Sequence, residues 1–76
     1  MVRAFVMVKT AAGKSEELLE NAESIAGIDE AHIVAGEYDI IAEASGEEVY
    51  DVMHSVATDV RDLEGVTDTR TYIALE

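Results

Sequence analysis

The chain has 76 residues, 5 basic against 17 acidic, for a net charge of −12. That balance excludes the clustered cations needed to displace counterions from nucleic acid or to dock on an anionic membrane. The absence of cysteine excludes a disulfide framework and Cys-based metal sites. A domain this small buries only about 60% of its unfolded surface, yet 49% of its residues are hydrophobic, so a homo-oligomer is expected to supply the missing burial.

Val2 to Val8 is β-branched and mostly apolar, which predicts a first strand covered on both faces. Thr10-Ala11-Ala12-Gly13-Lys14 reads as a loop. Ser15 is the expected cap of a first helix, with Glu16 and Glu17 favouring its N-terminus. Leu18, Ala22, Ile25 and Ala26 fall on one face of that helix, which Gly27 ends. Ile28 to Ala35 predicts a second strand, and Gly36-Glu37 a turn into a third, Tyr38 to Ala44. Ser45-Gly46-Glu47-Glu48 has capping-box spacing. Val49, Val52, Met53, Val56, Val60 and Leu63 follow as the apolar stripe of a second helix, stopped at Gly65. A last strand is expected from Val66 to Leu75.

The order β-α-β-β-α-β predicts an α+β, ferredoxin-like sandwich: a four-stranded antiparallel sheet with both helices on one face. Residues 1–76 read as one domain, its two halves faintly repeating each other. Phe5, Met7, Val8, Ile40, Ile41 and Tyr72 exceed what two short helices cover, so pairing of two sheets is expected to bury the remainder. Met1 leads straight into the first strand with no signal peptide, and its seven-residue apolar run is too short to span a bilayer. The cytoplasm is the expected location. Two lysines among so many carboxylates fit an acidic, halophilic-type surface suited to a salt-rich cytoplasm.

Gly65-Val66-Thr67-Asp68-Thr69-Arg70-Thr71-Tyr72-Ile73 is the most distinctive stretch. Thr67, Thr69 and Thr71 alternate with Asp68, Arg70 and Tyr72, so one face carries a row of hydroxyls fit to meet a small polar ligand. Threonine is also simply a good strand former. His32 and His54 lack a partner at metal-ligating or general-base spacing, so neither metal site nor catalytic residue is expected. No cofactor is expected either.

Ala4-Phe5-Val6-Met7-Val8, Val34-Ala35-Gly36-Glu37-Tyr38-Asp39-Ile40-Ile41 and Gly65 to Tyr72 together resemble the C-terminal, ligand-binding domain of the Lrp/AsnC regulators, the RAM domain. The resemblance covers essentially the whole chain. It implies dimers assembling into an octamer or similar ring, with an amino-acid effector between dimers at Gly36, Glu37, Tyr38, Asp39, Thr69 and Thr71. Family regulators also carry a helix-turn-helix domain. Because this chain begins at the first strand, it resembles the stand-alone form, which does not bind DNA itself; a regulatory role is then expected through co-assembly with full-length Lrp/AsnC regulators or through something the sequence does not show.

Individual residues leave alternatives open. Asp39 suits an ammonium or the stabilisation of its own turn. Tyr38 suits ligand contact or covering of the sheet, and Arg70 a ligand carboxylate or a cross-strand acidic partner. The expected function is a non-enzymatic, amino-acid-sensing, oligomerising module of transcription regulation. The alternative is a small dimeric enzyme of the monooxygenase type, since ferredoxin-like folds host such chemistry too.

Overall fold

A computed structural model describes residues 1–75, with Ser55 described by its backbone alone. The elements are β1 (Val2–Thr10), α1 (Ser15–Glu23), β2 (Ile28–Ile33), β3 (Ile40–Gly46), a second helix α2 over residues 49–61, and β4 (Val66–Ile73). The strands form one antiparallel sheet in the order β2-β3-β1-β4. This is the ferredoxin-like architecture expected from the element order.

Register assigns each side chain to a face, because antiparallel partners share a face and neighbours alternate. Val8 lies opposite Ile40 and Thr69, and Val6 opposite Ala42 and Thr71. Val6, Val8, Ile40 and Ala42 are buried with Leu18 of α1 and Val60 of α2, so this set faces the helices. A second cluster, Ala4, Ala44, Val52 and Val56, closes the other end of that layer. Val8 and Ile40 therefore belong to the helix-side core and not to the surplus apolar surface. Phe5, Met7, Ile41 and Tyr72 do lie on the open face, where Tyr72 is 53% exposed.

Several boundaries differ from the sequence expectation. Ser45 is not a helix cap. It lies within β3, opposite Arg3, because β1 begins at Val2 and its pairing carries β3 on to Gly46. The cap position is Glu48, in extended conformation and without a side-chain bond. Ser15 is the first residue of α1 and not its cap, and its hydroxyl bonds Thr10 Oγ1 at 2.9 Å. The first helix stops at Glu23, yet Ile25 still packs on the core from the following turn. The β2–β3 connection spans residues 34–39 and not the two-residue turn expected, and β4 ends at Ile73.

Of the expected stripe, Val52, Val56 and Val60 are buried, whereas Val49 and Met53 are about half exposed, and α2 is not uniform. Val49–Asp51 and Ala57–Arg61 are α-helical, while Val52–Val56 winds as a π-helix, the Ala57 N–H donating to the Val52 carbonyl. This wide turn lies against Gly27. Gly27 has φ +98°, and a Cβ there would come within 2.6 Å of Val56 Cγ2. Only glycine meets both the backbone conformation and the close approach.

Candidate ligand-binding site

The loop at residues 34–39 is held by its ends. The Val34 N–H donates to the Asp39 carbonyl and the Asp39 N–H to the Val8 carbonyl, each at 2.9 Å. The Asp39 carboxylate reaches the end of β1: Oδ2 accepts from the Thr10 N–H at 2.8 Å and from Thr10 Oγ1 at 3.3 Å. Thr10 in turn meets Ser15, so one carboxylate ties the loop, β1 and the start of α1 together. Asp39 thus stabilises a neighbouring strand end, which local sequence did not suggest, and its Oδ1 is left outside these bonds.

Between those anchors, Gly36 and Glu37 are exposed. Gly36 is not among the positive-φ glycines, and a Cβ built on it would meet nothing within 4 Å. The chain itself makes no demand for glycine there. A bare backbone at this loop leaves room for something outside the chain to approach closely.

Tyr38 and the threonines lie on opposite sides of the sheet. Thr69 and Thr71, partners of Val8 and Val6, are on the helix side. The Tyr38 ring lies 5.7 Å from Lys9 Nζ and beside Arg70, both of which project from the open face. The Tyr38 phenol, through its charge and its hydrogen bond, is the main influence holding the Arg70 guanidinium above its ordinary value, with Tyr72 and Asp68 adding to it. Arg70 lies opposite Met7 across the ladder. Its setting is therefore an aromatic one and not the acidic cross-strand pair considered from sequence.

Of the six candidate residues, the loop and Thr69 share one end of the sheet, flanking the end of β1 on either side. Among the described residues, the cavity at Thr69 includes none of the other five. The cavity at Thr69 has a volume of about 230 Å³ and is otherwise lined by Arg61, Val66, Thr67 and Asp68. Arg61 and Asp68 were not picked out as a site from sequence, and Thr67 only as a member of the hydroxyl row. The signal that joins them is tertiary: Gly65 turns the end of α2 back beside the start of β4.

Polar groups also cross the open face. Arg3 pairs with Glu43 at 3.2 Å, Glu43 lies opposite Glu30, and Glu30 approaches His32 Nε2 at 3.8 Å. Glu43 is raised above its ordinary carboxylate range, first by hydrogen bonding with Glu30, then by desolvation and the like charge of Glu30. Arg3 and His32 oppose that rise. His54 stacks on Tyr50, with ring centroids 5.0 Å apart. Among the described residues no helix is long and apolar enough to cross a membrane.

Comparison with known proteins bears on the fold and the family. The family model of the Lrp/AsnC ligand-binding domain matches residues 3–76. The crystal structure of FFRP-DM1 superposes with a TM-score of 0.90 at 33% identity, covering 99% of this chain and 100% of that one. A protein of Thermus thermophilus, TTHA0845, gives a TM-score of 0.92 at 28% identity, covering 100% and 95% of the two chains. A transcriptional regulator of Neisseria meningitidis, solved as an L-Met complex, shares the fold at a TM-score of 0.83 and 19% identity. It is covered over 50% of its length by 99% of this chain. Among curated protein sequences none matches. Family model, near-complete overlap and shared fold lead to one statement: this chain belongs to the Lrp/AsnC ligand-binding domain family.

Proposed function

We propose that this domain is an amino-acid-sensing, oligomerising module of Lrp/AsnC-type transcription regulation, working in the cytoplasm without enzymatic activity. Its effector would lie against Gly36, Glu37, Tyr38, Asp39, Thr69 and Thr71. The observation that carries this reading is the loop at residues 34–39. It is clamped by backbone bonds and by the Asp39–Thr10 contact, yet it exposes a glycine that the isolated chain does not need. A clamped, bare backbone offers N–H and C=O groups to a ligand at low ordering cost. The L-Met complex of the Neisseria regulator supports an amino acid as the ligand class.

The loop and the threonines lie on different sides of β1, so a pocket using all six residues requires a second copy of the chain. Sheet pairing through Phe5, Met7, Ile41 and Tyr72 provides one contact between copies, and assembly of such dimers into an octamer or similar ring would bring loop and strand from different copies together. Light scattering at micromolar concentration tests this. Masses at multiples of the 8.2 kDa chain are expected, and a clean monomer would reject it. Calorimetry with the twenty common amino acids tests sensing, with at least one expected to bind at millimolar concentration or below.

The net charge of −12 argues against direct DNA contact by these residues, since phosphate binding depends on clustered cations. Action on DNA would then run through a full-length Lrp/AsnC partner, and a gel shift with and without such a partner separates the two routes.

A further inference from the structure

Five cations serve this chain, and four have neighbours that account for them. Arg3 pairs with Glu43, Lys14 approaches Glu17, and Lys9 and Arg70 lie at Tyr38. Arg61, in the last turn of α2, makes no ion pair with any described residue, although 17 carboxylates are available to so small a surface. It borders the cavity of about 230 Å³ instead, with Thr67, Asp68 and Thr69.

Consecutive β4 residues point to opposite faces, so a cavity lined by Thr67, Asp68 and Thr69 together runs along an edge of the strand. The other edge is taken by β1, so this is the free one, where strand N–H and C=O groups have no ladder partner. Asp68 is oriented there, its Oδ1 accepting from the Thr69 N–H at 3.0 Å. Thr67 Oγ1 donates to the Lys9 carbonyl of β1 at 3.3 Å, so its hydroxyl is turned toward the paired edge. One small cavity thus brings Arg61 and the Asp68 carboxylate to a free strand edge. Its volume falls below the ~300–1,000 Å³ of pockets that enclose a drug-sized ligand. It suits a charged headgroup whose remainder projects outward.

We infer that the Arg61–Asp68 cavity at the edge of β4 is a subsite for the zwitterionic headgroup of an α-amino acid, with the carboxylate on Arg61 and the ammonium on Asp68. Backbone groups of Thr67 and Thr69 on the free strand edge complete the hydrogen bonding. The assignment rests on the amino-acid-sensing reading above and deepens it, because it names the pair of charges that reads the headgroup.

The test is calorimetry on the assembled protein with the twenty common amino acids, then with the methyl ester of the tightest binder. Arg61→Gln is expected to weaken the free amino acid roughly 10- to 100-fold, the span for losing a charge-assisted hydrogen bond. The ester, which lacks the carboxylate charge, should bind parent and Arg61→Gln alike. Parent-like affinity of Arg61→Gln for the free amino acid would overturn the subsite while leaving amino-acid sensing intact. Failure of every amino acid to bind the parent at millimolar concentration would overturn the sensing reading, and the subsite with it. Circular dichroism checks folding. If Arg61→Gln does not fold, Arg61→Lys keeps the charge but loses the planar fork; a several-fold loss supports the assignment, and parent-like affinity overturns it.

Discussion

At the residue scale, Asp39 and Gly36 separate two demands made on one loop. Asp39 answers to the fold: its carboxylate accepts the Thr10 N–H at 2.8 Å in a part-buried setting. Removing one partner of a charge-assisted bond leaves the other unsatisfied, at a cost of about 1.5–3 kcal/mol. Asp39→Ala is therefore expected to lose about that much stability in chemical denaturation, and to weaken effector binding as the loop loosens. Gly36 answers to nothing in the isolated chain. Gly36→Ala should leave stability within about 0.5 kcal/mol of the parent, yet weaken amino-acid binding or assembly, read by calorimetry and light scattering. If Gly36→Ala binds and assembles as the parent does, the exposed glycine has no role at the site. Period-2 alternation made the threonine row legible in the sequence, because strand neighbours must face opposite ways. The reach of Tyr38 across β1 to Arg70 and the meeting of Arg61 with β4 were not legible, since both depend on elements distant in sequence.

At the element scale, the spacing of Val52, Val56 and Val60 announced the helix, and alternation announced β1 and β4. Strand ends are decided by partners, which is why β3 extends through Ser45 and the capping box expected there does not form. The π-helical turn was equally hidden, because it coincides with the contact of Val56 at Gly27 and not with any local breaker. Across the open face, the Glu30–Glu43 rung of β2 and β3 places like charges directly opposite, an unfavourable pairing. Glu43 is raised in the folded state, so the native protein holds its proton more tightly than the unfolded chain does. By linkage, this rung favours folding at acid pH, and that contribution is lost as pH rises through the ordinary carboxylate range to the raised folded value. Glu30→Gln removes the like charge while keeping the Arg3–Glu43 pair. It is expected to melt above the parent at pH 7, with the difference shrinking as the pH is lowered. A difference independent of pH would show that the rung does not titrate in this way.

At the scale of the whole molecule, charge repulsion and apolar surplus pull against each other. The proposed pairing of two copies over the open face would bury its apolar residues, but bringing together chains of −12 each is opposed by long-range repulsion. Screening decides the outcome. In dilute buffer of about 0.01 M the Debye length is about 30 Å, comparable with the longest dimension of the molecule, 34 Å, so nearly all its carboxylates act on one another. In 1 M salt that length falls to about 3 Å, and only contacting charges interact. Salt also weakens favourable pairs, but Lys14–Glu17 and Arg3–Glu43 each involve at least one well-exposed partner, and such pairs contribute little. Relief of repulsion therefore outweighs the loss of pairing. Melting temperature is expected to rise from dilute buffer to molar potassium chloride at pH 7, with the scattering mass moving toward the oligomer over the same range. Repeating the comparison near the pI of about 4.2, where net charge vanishes, should shrink the salt effect. Equal melting temperatures at both salt concentrations at pH 7 would reject charge repulsion as the controlling term. A rise of the same size near the pI would assign the effect to the salt's action on apolar burial instead.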